Sequence, residues 1–236
     1  MGEKRTLVVT AVPAERDAVT LAAGVAPEPF TLPGGLSLQR GPGLDAVSVG
    51  VGPAAAAAGT ATVLALAQGR YDLVVSAGIG GGFAAVADVG ATVVSSALVA
   101  ADLGAETADG FLDVGELGFG AAVHRPPAEL LRAAASAVGG PSGPVLTVST
   151  ATGTAARAAE LAARHPGAAA EGMEGHGVAT AAVAHQLAVL EIRTVSNPVG
   201  PRERAAWRIP DALRALTDAF AALGPAFDLW RQKTDG

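Results

Sequence analysis

Along this chain, short runs of β-branched and apolar residues alternate with longer stretches in which apolar residues recur every three or four positions. Residues 6–12, TLVVTAV, are bounded by charge and proline and read as a buried strand. Pro13 then stands where a helix begins, a position that tolerates its missing N–H. LSLQR (36–40) and LDAVSVG (44–50) read as paired strands joined by Gly41-Pro42-Gly43. A helix is predicted from Pro53 to about Gln68, a buried strand over 72–78 ended by IGGG, and another strand over 91–100. Residues 102–120 are polar, glycine-rich and aperiodic, and read as an irregular excursion. Helices over 126–138, 153–165 and 173–186 alternate with strands over 144–150, 168–172 and 188–196. In the last segment Leu213, Leu216, Phe220, Leu223, Phe227 and Trp230 share one helical face, which Gly224-Pro225 is expected to kink or break. Alternating strands and helices predict an α/β fold, a three-layer αβα sandwich around a mixed, largely parallel sheet. No linker and no repeat divides residues 1–236, so one domain is expected.

Composition narrows the chemistry. Half of the 236 residues are apolar but only 4% are aromatic, so the core must close through Ala, Val and Leu. The net charge of −6 and the lack of a basic stripe speak against nucleic acid as a partner. There is no cysteine, which excludes disulfides, thiolate catalysis and zinc–thiolate sites and fits a reducing compartment. The first apolar run is too short for a secretory signal, and residues 53–67 fall short of the ~20 needed to span a bilayer. These features predict a cytoplasmic protein with no membrane partner. His124, His165, His176 and His185 are scattered without metal-site spacing, so no metal is expected.

Three glycine stretches carry different weight. GVGPAA (50–55) matches a dinucleotide fingerprint, but Asp72 stands at the start of its strand, the wrong end for a ribose-holding acid. Close packing of helix on sheet accounts for those glycines, and no cofactor is expected. SAGIGGG (76–82) ends a buried strand at the carboxyl edge of the sheet, where open α/β folds bind ligands; a tight turn would explain it equally. No G-x-x-x-x-G-K-[ST] is present, which disfavours a triphosphate-driven enzyme. The oddest stretch is SNPVGPRERAAWRIP (196–210), which gathers an amide, three arginines and Trp207 behind one strand.

AVPAERDAV after the first strand, SAGIGGG, EGMEGHGVA (171–179) and IRTVSN (192–197) together resemble the purine nucleoside phosphorylase and methylthioadenosine/S-adenosylhomocysteine nucleosidase superfamily. The resemblance covers nearly the whole chain in order and spacing. Within the superfamily, residues 196–210 look closest to the branch that hydrolyses futalosine in the menaquinone pathway.

The resemblance implies roles for particular residues. Glu15 would orient and deprotonate a water aimed at C1′. By position alone it is a first-turn acid complementing a helix dipole. Glu174 would grip the ribose hydroxyls, with Met173 against the sugar. Arg193 would support the water and its glutamate, and the apolar alternation of its strand argues against a pairing with Glu191. Gly78, Ile79, Ala151, Thr152 and Ser196 would line the site, the segment 149–154 through its backbone. Trp207 would stack on the purine or cover it, and Arg202, Arg204 or Arg208 would meet a benzoate tail. Asn197 stands where the methylthioadenosine nucleosidases have aspartate. An amide cannot transfer a proton, but it can accept from a forming N7–H and donate to a 6-oxo group, which suits hypoxanthine.

The expected reaction is therefore hydrolysis of a nucleoside by an enzyme that is a homo-oligomer, as its family commonly is. Phosphorolysis is disfavoured because Glu15 stands where phosphorylases hold phosphate, although Arg16 is adjacent. Activity on methylthioadenosine, S-adenosylhomocysteine or aminofutalosine is the nearest alternative. A non-catalytic nucleoside sensor and a dinucleotide-dependent oxidoreductase are the other classes.

Overall fold

The structure, a computed structural model, describes residues 4–24, 26, 28–32 and 35–234. The first three residues, part of the segment read above for a signal, lie outside these. The elements run β1 (Arg5–Thr10), α1 (Pro13–Leu21), β2 (Glu28–Thr31), β3 (Ser37–Arg40), β4 (Leu44–Ser48), α2 (Pro53–Ala67), β5 (Tyr71–Gly82), β6 (Thr92–Ala100), β7 (Gly104–Thr107), β8 (Gly110–Asp113), β9 (Val123–His124), α3 (Ala128–Val138), β10 (Ser142–Thr147), α4 (Ala155–Arg164), β11 (Ala170–Gly172), α5 (Gly175–Ala184), β12 (Ala188–Pro198), a 3-10 turn (Arg204–Ala206) and α6 (Ile209–Thr234).

One mixed sheet carries the fold, in the order β11-β10-β6-β12-β5-β1-β4-β3-β2. Its centre, β12-β5-β1-β4, is parallel, while β6 runs antiparallel to β12 and the β2-β3 edge is antiparallel. β11 pairs with β10 on one side and antiparallel to the end of β5 on the other, curling the sheet back on itself. Alternate residues of the central strands face opposite layers. Val8, Leu73, Val75, Leu190 and Ile192 pack under α1, α3 and α6 with Val19, Leu130, Leu216, Leu223 and Phe227. Leu7, Val9, Val74 and Val189 pack under α2 and α5 with Ala56, Val63, Val178 and Ala182. Small side chains let these layers approach closely: a Cβ at Gly177 would lie 2.1 Å from the Pro53 carbonyl oxygen across the α2–α5 crossing.

Several boundaries differ from the sequence reading, each for a physical reason. β5 does not stop at Gly78 but continues to Gly82, pairing with Arg193–Pro198 of β12. Side chains there would collide with β11: a Cβ at Gly80 would sit 2.5 Å from the Glu171 carbonyl oxygen. α6 is continuous through Pro225. The carbonyl deprived of its donor belongs to exposed Ala221, which water can satisfy, and burial of Leu223, Ala226 and Phe227 on either side holds the helix. The excursion at 102–120 contains the β7-β8 hairpin, whose short strands are too polar to announce themselves by alternation. α5 starts at Gly175, leaving Met173 and Glu174 ahead of it. Among the described residues no helix is long and apolar enough to cross a membrane.

Candidate active site

The carboxyl ends of β1, β5 and β12 meet the start of α1 and the turn ahead of α5. Their charged side chains converge there. Glu15, in the first turn of α1, is buried, 4% exposed. Its Oε2 accepts from the backbone N–H of Ala11 (3.1 Å) and Val12 (3.3 Å), so it caps its own helix. Its Oε1 accepts from the Ile79 N–H at 2.9 Å. The capping role and the site role are thus compatible: three fixed N–H groups aim the carboxylate at the inner face of β5. Gly78 makes the approach possible, since a Cβ there would lie 2.6 Å from Glu15 Oε1 and 2.9 Å from Arg193 Nη1.

Arg193 is 1% exposed and forms the hub. Its Nε donates to Glu191 Oε1 (2.9 Å), Nη2 to Ser76 Oγ (3.3 Å) and Nη1 to the Ile79 carbonyl (3.3 Å). Nη2 also pairs with Glu174 Oε2 at 3.1 Å. The Arg193–Glu191 pairing, against which the apolar alternation argues, is therefore present. Residues two apart share a face, and that face is here polar because the glycines of β5 and α5 vacate it. Glu174 is placed by the N–H of Met173 (3.3 Å) and by that of Gly52 (3.2 Å). GVGPAA thus does more than pack a helix: its turn, with Gly50 at φ 99° and Gly52 at φ 98°, points an amide at Glu174.

Three buried carboxylates, Glu15, Glu174 and Glu191, thus surround one guanidinium. Burial pushes the Glu15 carboxyl above its ordinary range, against the opposing pull of Arg193 and the Ile79 N–H. Burial likewise raises Glu191, again opposed by Arg193. Burial works against the charge of Arg193, but Glu191, Glu174 and Glu15 outweigh it and hold the group protonated.

Asn197 lies four residues further along β12, opposite Gly81. Its Oδ1 accepts from the Ser196 hydroxyl at 2.8 Å and its Nδ2 donates to the Pro198 carbonyl at 3.0 Å. The Pro198 carbonyl, which can only accept, fixes which end of the amide is nitrogen, leaving one lone pair and one N–H free. Ser196 is buried, and its carbonyl accepts from Arg208 N–H at 2.8 Å, which pins the start of α6 to the strand end.

Other expected residues fall differently. The backbone N–H of Thr152 donates to Glu171 Oε1 (2.8 Å) and its hydroxyl to Glu171 Oε2 (2.5 Å), so neither donor is free for a base. Ala151 beside it is exposed. Met173 packs on the cluster of Phe83, Val99, Leu146 and Leu161 while remaining partly accessible. Trp207 is half-buried with the Arg202 guanidinium 5.5 Å from its ring centre, and Arg208 pairs with Asp211. Arg16 is drawn to Asp17 (2.7 Å) and Ser37 (3.1 Å). His124 and His176, far apart in sequence, meet with ring centres 4.9 Å apart. Among the described residues no group of three or more His, Cys, Asp or Glu could hold a metal ion. Reading the sequence set Glu191 aside and missed Ser76, Gly52 and Glu171; the available signal was an acid two residues before Arg193 in an otherwise apolar strand.

The fold and its acid-rich sheet edge define an enzyme of the nucleoside phosphorylase and nucleosidase type. The phosphorylase superfamily pattern matches residues 43–226. The chain is 62% identical over 229 residues to the futalosine hydrolase of Streptomyces coelicolor, covering 95% of this chain and 97% of that protein. It is 46% identical over 237 residues to that of Acidothermus cellulolyticus, covering 96% and 93%. Among solved structures, the methylthioadenosine/S-adenosylhomocysteine nucleosidase of Colwellia psychrerythraea in complex with adenine aligns with a TM-score of 0.79 at 24% identity, covering 94% and 96%. That of Helicobacter pylori aligns with a TM-score of 0.81 at 18% identity, covering 97% and 100%. These two show the shared fold. The chain belongs to the phosphorylase superfamily and, within it, to the futalosine hydrolase family.

Proposed function

We propose that this chain, acting as one catalytic domain over residues 1–236, hydrolyses the N-ribosidic bond of futalosine and releases hypoxanthine. Glu15 takes a proton from a water that attacks C1′ as the bond to the base breaks with its electron pair. Arg193 Nη1 faces the same position and holds the water and the carboxylate in register. Glu174 grips the ribose hydroxyls, and Met173 covers the sugar. As the sugar gains oxocarbenium character, the surrounding carboxylates favour its positive charge. The departing purine collects electron density and takes a proton from solvent at N7. Asn197 Oδ1 accepts from that N–H, and its free Nδ2–H donates to the 6-oxo group. Gly78, Ile79 and Ser196 shape the floor, and Ala151 and Trp207 border the base. Of the segment 149–154, Thr152 contributes only through its carbonyl, since Glu171 takes both donors.

The observation that carries hydrolysis over phosphorolysis is the charge balance. A phosphate dianion at this edge would face three buried carboxylates and a single arginine already paired with two of them. Arg16, the neighbouring cation, is spent on Asp17 and Ser37. The lack of cysteine fits the cytoplasm. The exposed apolar side chains Leu103, Phe119, Val123 and Val183 fit a homo-oligomer. The test is incubation of purified protein with futalosine, aminofutalosine and methylthioadenosine, with chromatography of the free base. Release of hypoxanthine at a kcat/KM at least tenfold above that for either 6-amino substrate supports the reading. Preference for adenine release shifts the assignment to the 6-amino nucleosidases.

A further inference from the structure

We infer that Glu191 is a positioning residue, which fixes where the Arg193 guanidinium points and how much of its charge reaches Glu15 and Glu174. The inference rests on the reading of Glu15 as the base that activates water. The burial and bonding of Glu191 lead to it. Glu191 is fully buried, and its Oε1 is the acceptor for Arg193 Nε at 2.9 Å. Its Oε2 has no hydrogen-bond partner among the described residues. A buried ion pair with one oxygen left unsatisfied does not repay its desolvation by stability alone. An apolar residue would suit the position better if the fold were the only concern.

The surrounding backbone has also been cleared for this carboxylate. A Cβ at Gly175, the residue after Glu174 and the first of α5, would lie 2.3 Å from both Glu191 oxygens. A Cβ at Gly172 would lie 2.9 Å from Arg193 Cζ and 3.0 Å from its Nε. Gly172 and, at the far edge, Gly78 thus leave room for the guanidinium, and Gly175 for the carboxylate that holds it. Once Nε is held by Glu191, rotation about the last bond of the arginine is fixed. Nη2 must then face Ser76 and Glu174, and Nη1 must face Ile79 and Glu15.

Charge follows the same path. Arg193 on β12 and Glu174 ahead of α5 are the titratable groups that face Glu191, and Glu15 on α1 lies on the far side of the guanidinium. β5 contributes the Ser76 hydroxyl there, and β6 carries no titratable residue. Ionised Glu191 therefore offsets part of the attraction that Arg193 exerts on Glu15. Removing that negative charge leaves Arg193 freer to ionise Glu15, so the acid gives up its proton at lower pH.

The test compares Glu191→Gln, which keeps shape and an acceptor for Nε but removes charge, with Glu191→Asp, which keeps charge but withdraws it by one methylene. For Glu191→Gln, the acidic limb of kcat/KM moves to lower pH by about one unit and kcat falls roughly tenfold. For Glu191→Asp, the limb stays in place while kcat falls at least about tenfold and KM changes less than about threefold. A limb unmoved in Glu191→Gln, with kcat within threefold of the parent, overturns the inference. If that variant does not fold, Glu191→Asp decides: parental kcat overturns it. The Arg193 Nε–H proton resonance supplies a readout without substrate. A downfield, exchange-protected signal that Glu191→Leu abolishes supports the role, and its absence from the parent protein refutes it. If the parent releases no base while this signal is present, the reading of Glu15 fails and the positioning of Arg193 stands.

Discussion

Replacing Gly78 by alanine probes the whole constellation with a single methyl group. Gly78 lies on β5 with ordinary negative φ, so alanine costs nothing in backbone strain. The cost is in space. The new carbon would stand 2.6 Å from Glu15 Oε1 and 2.9 Å from both Glu15 Cδ and Arg193 Nη1. Restoring van der Waals contact requires the carboxylate to retreat by roughly 1 Å. Glu15 Oε1 is 2.9 Å from the Ile79 N–H, so a shift of that size breaks the bond that aims it. A displacement of about 1 Å in a reacting group costs on the order of 100-fold in rate, or about 2.7 kcal/mol of barrier. Overpacking costs about 1–3 kcal/mol of stability, which a domain of this size survives. The assay is steady-state release of base alongside thermal unfolding. Gly224→Ala serves as the control, because its Cβ meets nothing within 4 Å and it lies in α6, remote from the site. A folded Gly78→Ala protein with kcat/KM within threefold of the parent would refute the assignment of this edge as the reaction centre.

Glu15→Gln should lower kcat by about 10³-fold, the scale of a lost general base, while free hypoxanthine still binds in a calorimetric titration. Because burial raises Glu15, and activity needs it ionised, kcat/KM should climb with pH through a limb above the ordinary carboxylate range; a limb at the ordinary value would contradict that environment. Asn197→Asp should lower activity on futalosine relative to aminofutalosine, read as the ratio of the two kcat/KM values. Gly177→Ala should destabilise the fold by about 2–3 kcal/mol in denaturant unfolding, since its Cβ would lie 2.1 Å from a backbone oxygen that cannot swing away.

Much of this architecture was legible in the order of apolar runs, because strands buried on both faces read as unbroken Val, Leu and Ile. Legibility failed where a local rule was outweighed by tertiary contact. The glycines of IGGG look like a strand ending, yet β11 and β12 flank them and extend β5 to Gly82. Pro225 looks like a helix end, yet burial of Leu223 and Phe227 carries α6 through it. At the site, the residues that can carry chemistry were visible as types: Glu15, Glu174, Arg193 and Asn197. Their supports were not, because Gly52, Ser76 and Glu191 act by where three separate segments cross. At Thr152 the N–H and hydroxyl turn inward to Glu171, an acid whose burial no local pattern announces.

The most direct test of the central claim is hydrolysis of futalosine in H₂¹⁸O with phosphate present, followed by mass spectrometry of the sugar product. One ¹⁸O at the C1′ hydroxyl, with free hypoxanthine and no sugar phosphate, is the predicted result. A sugar 1-phosphate, or a base that never leaves, would contradict it.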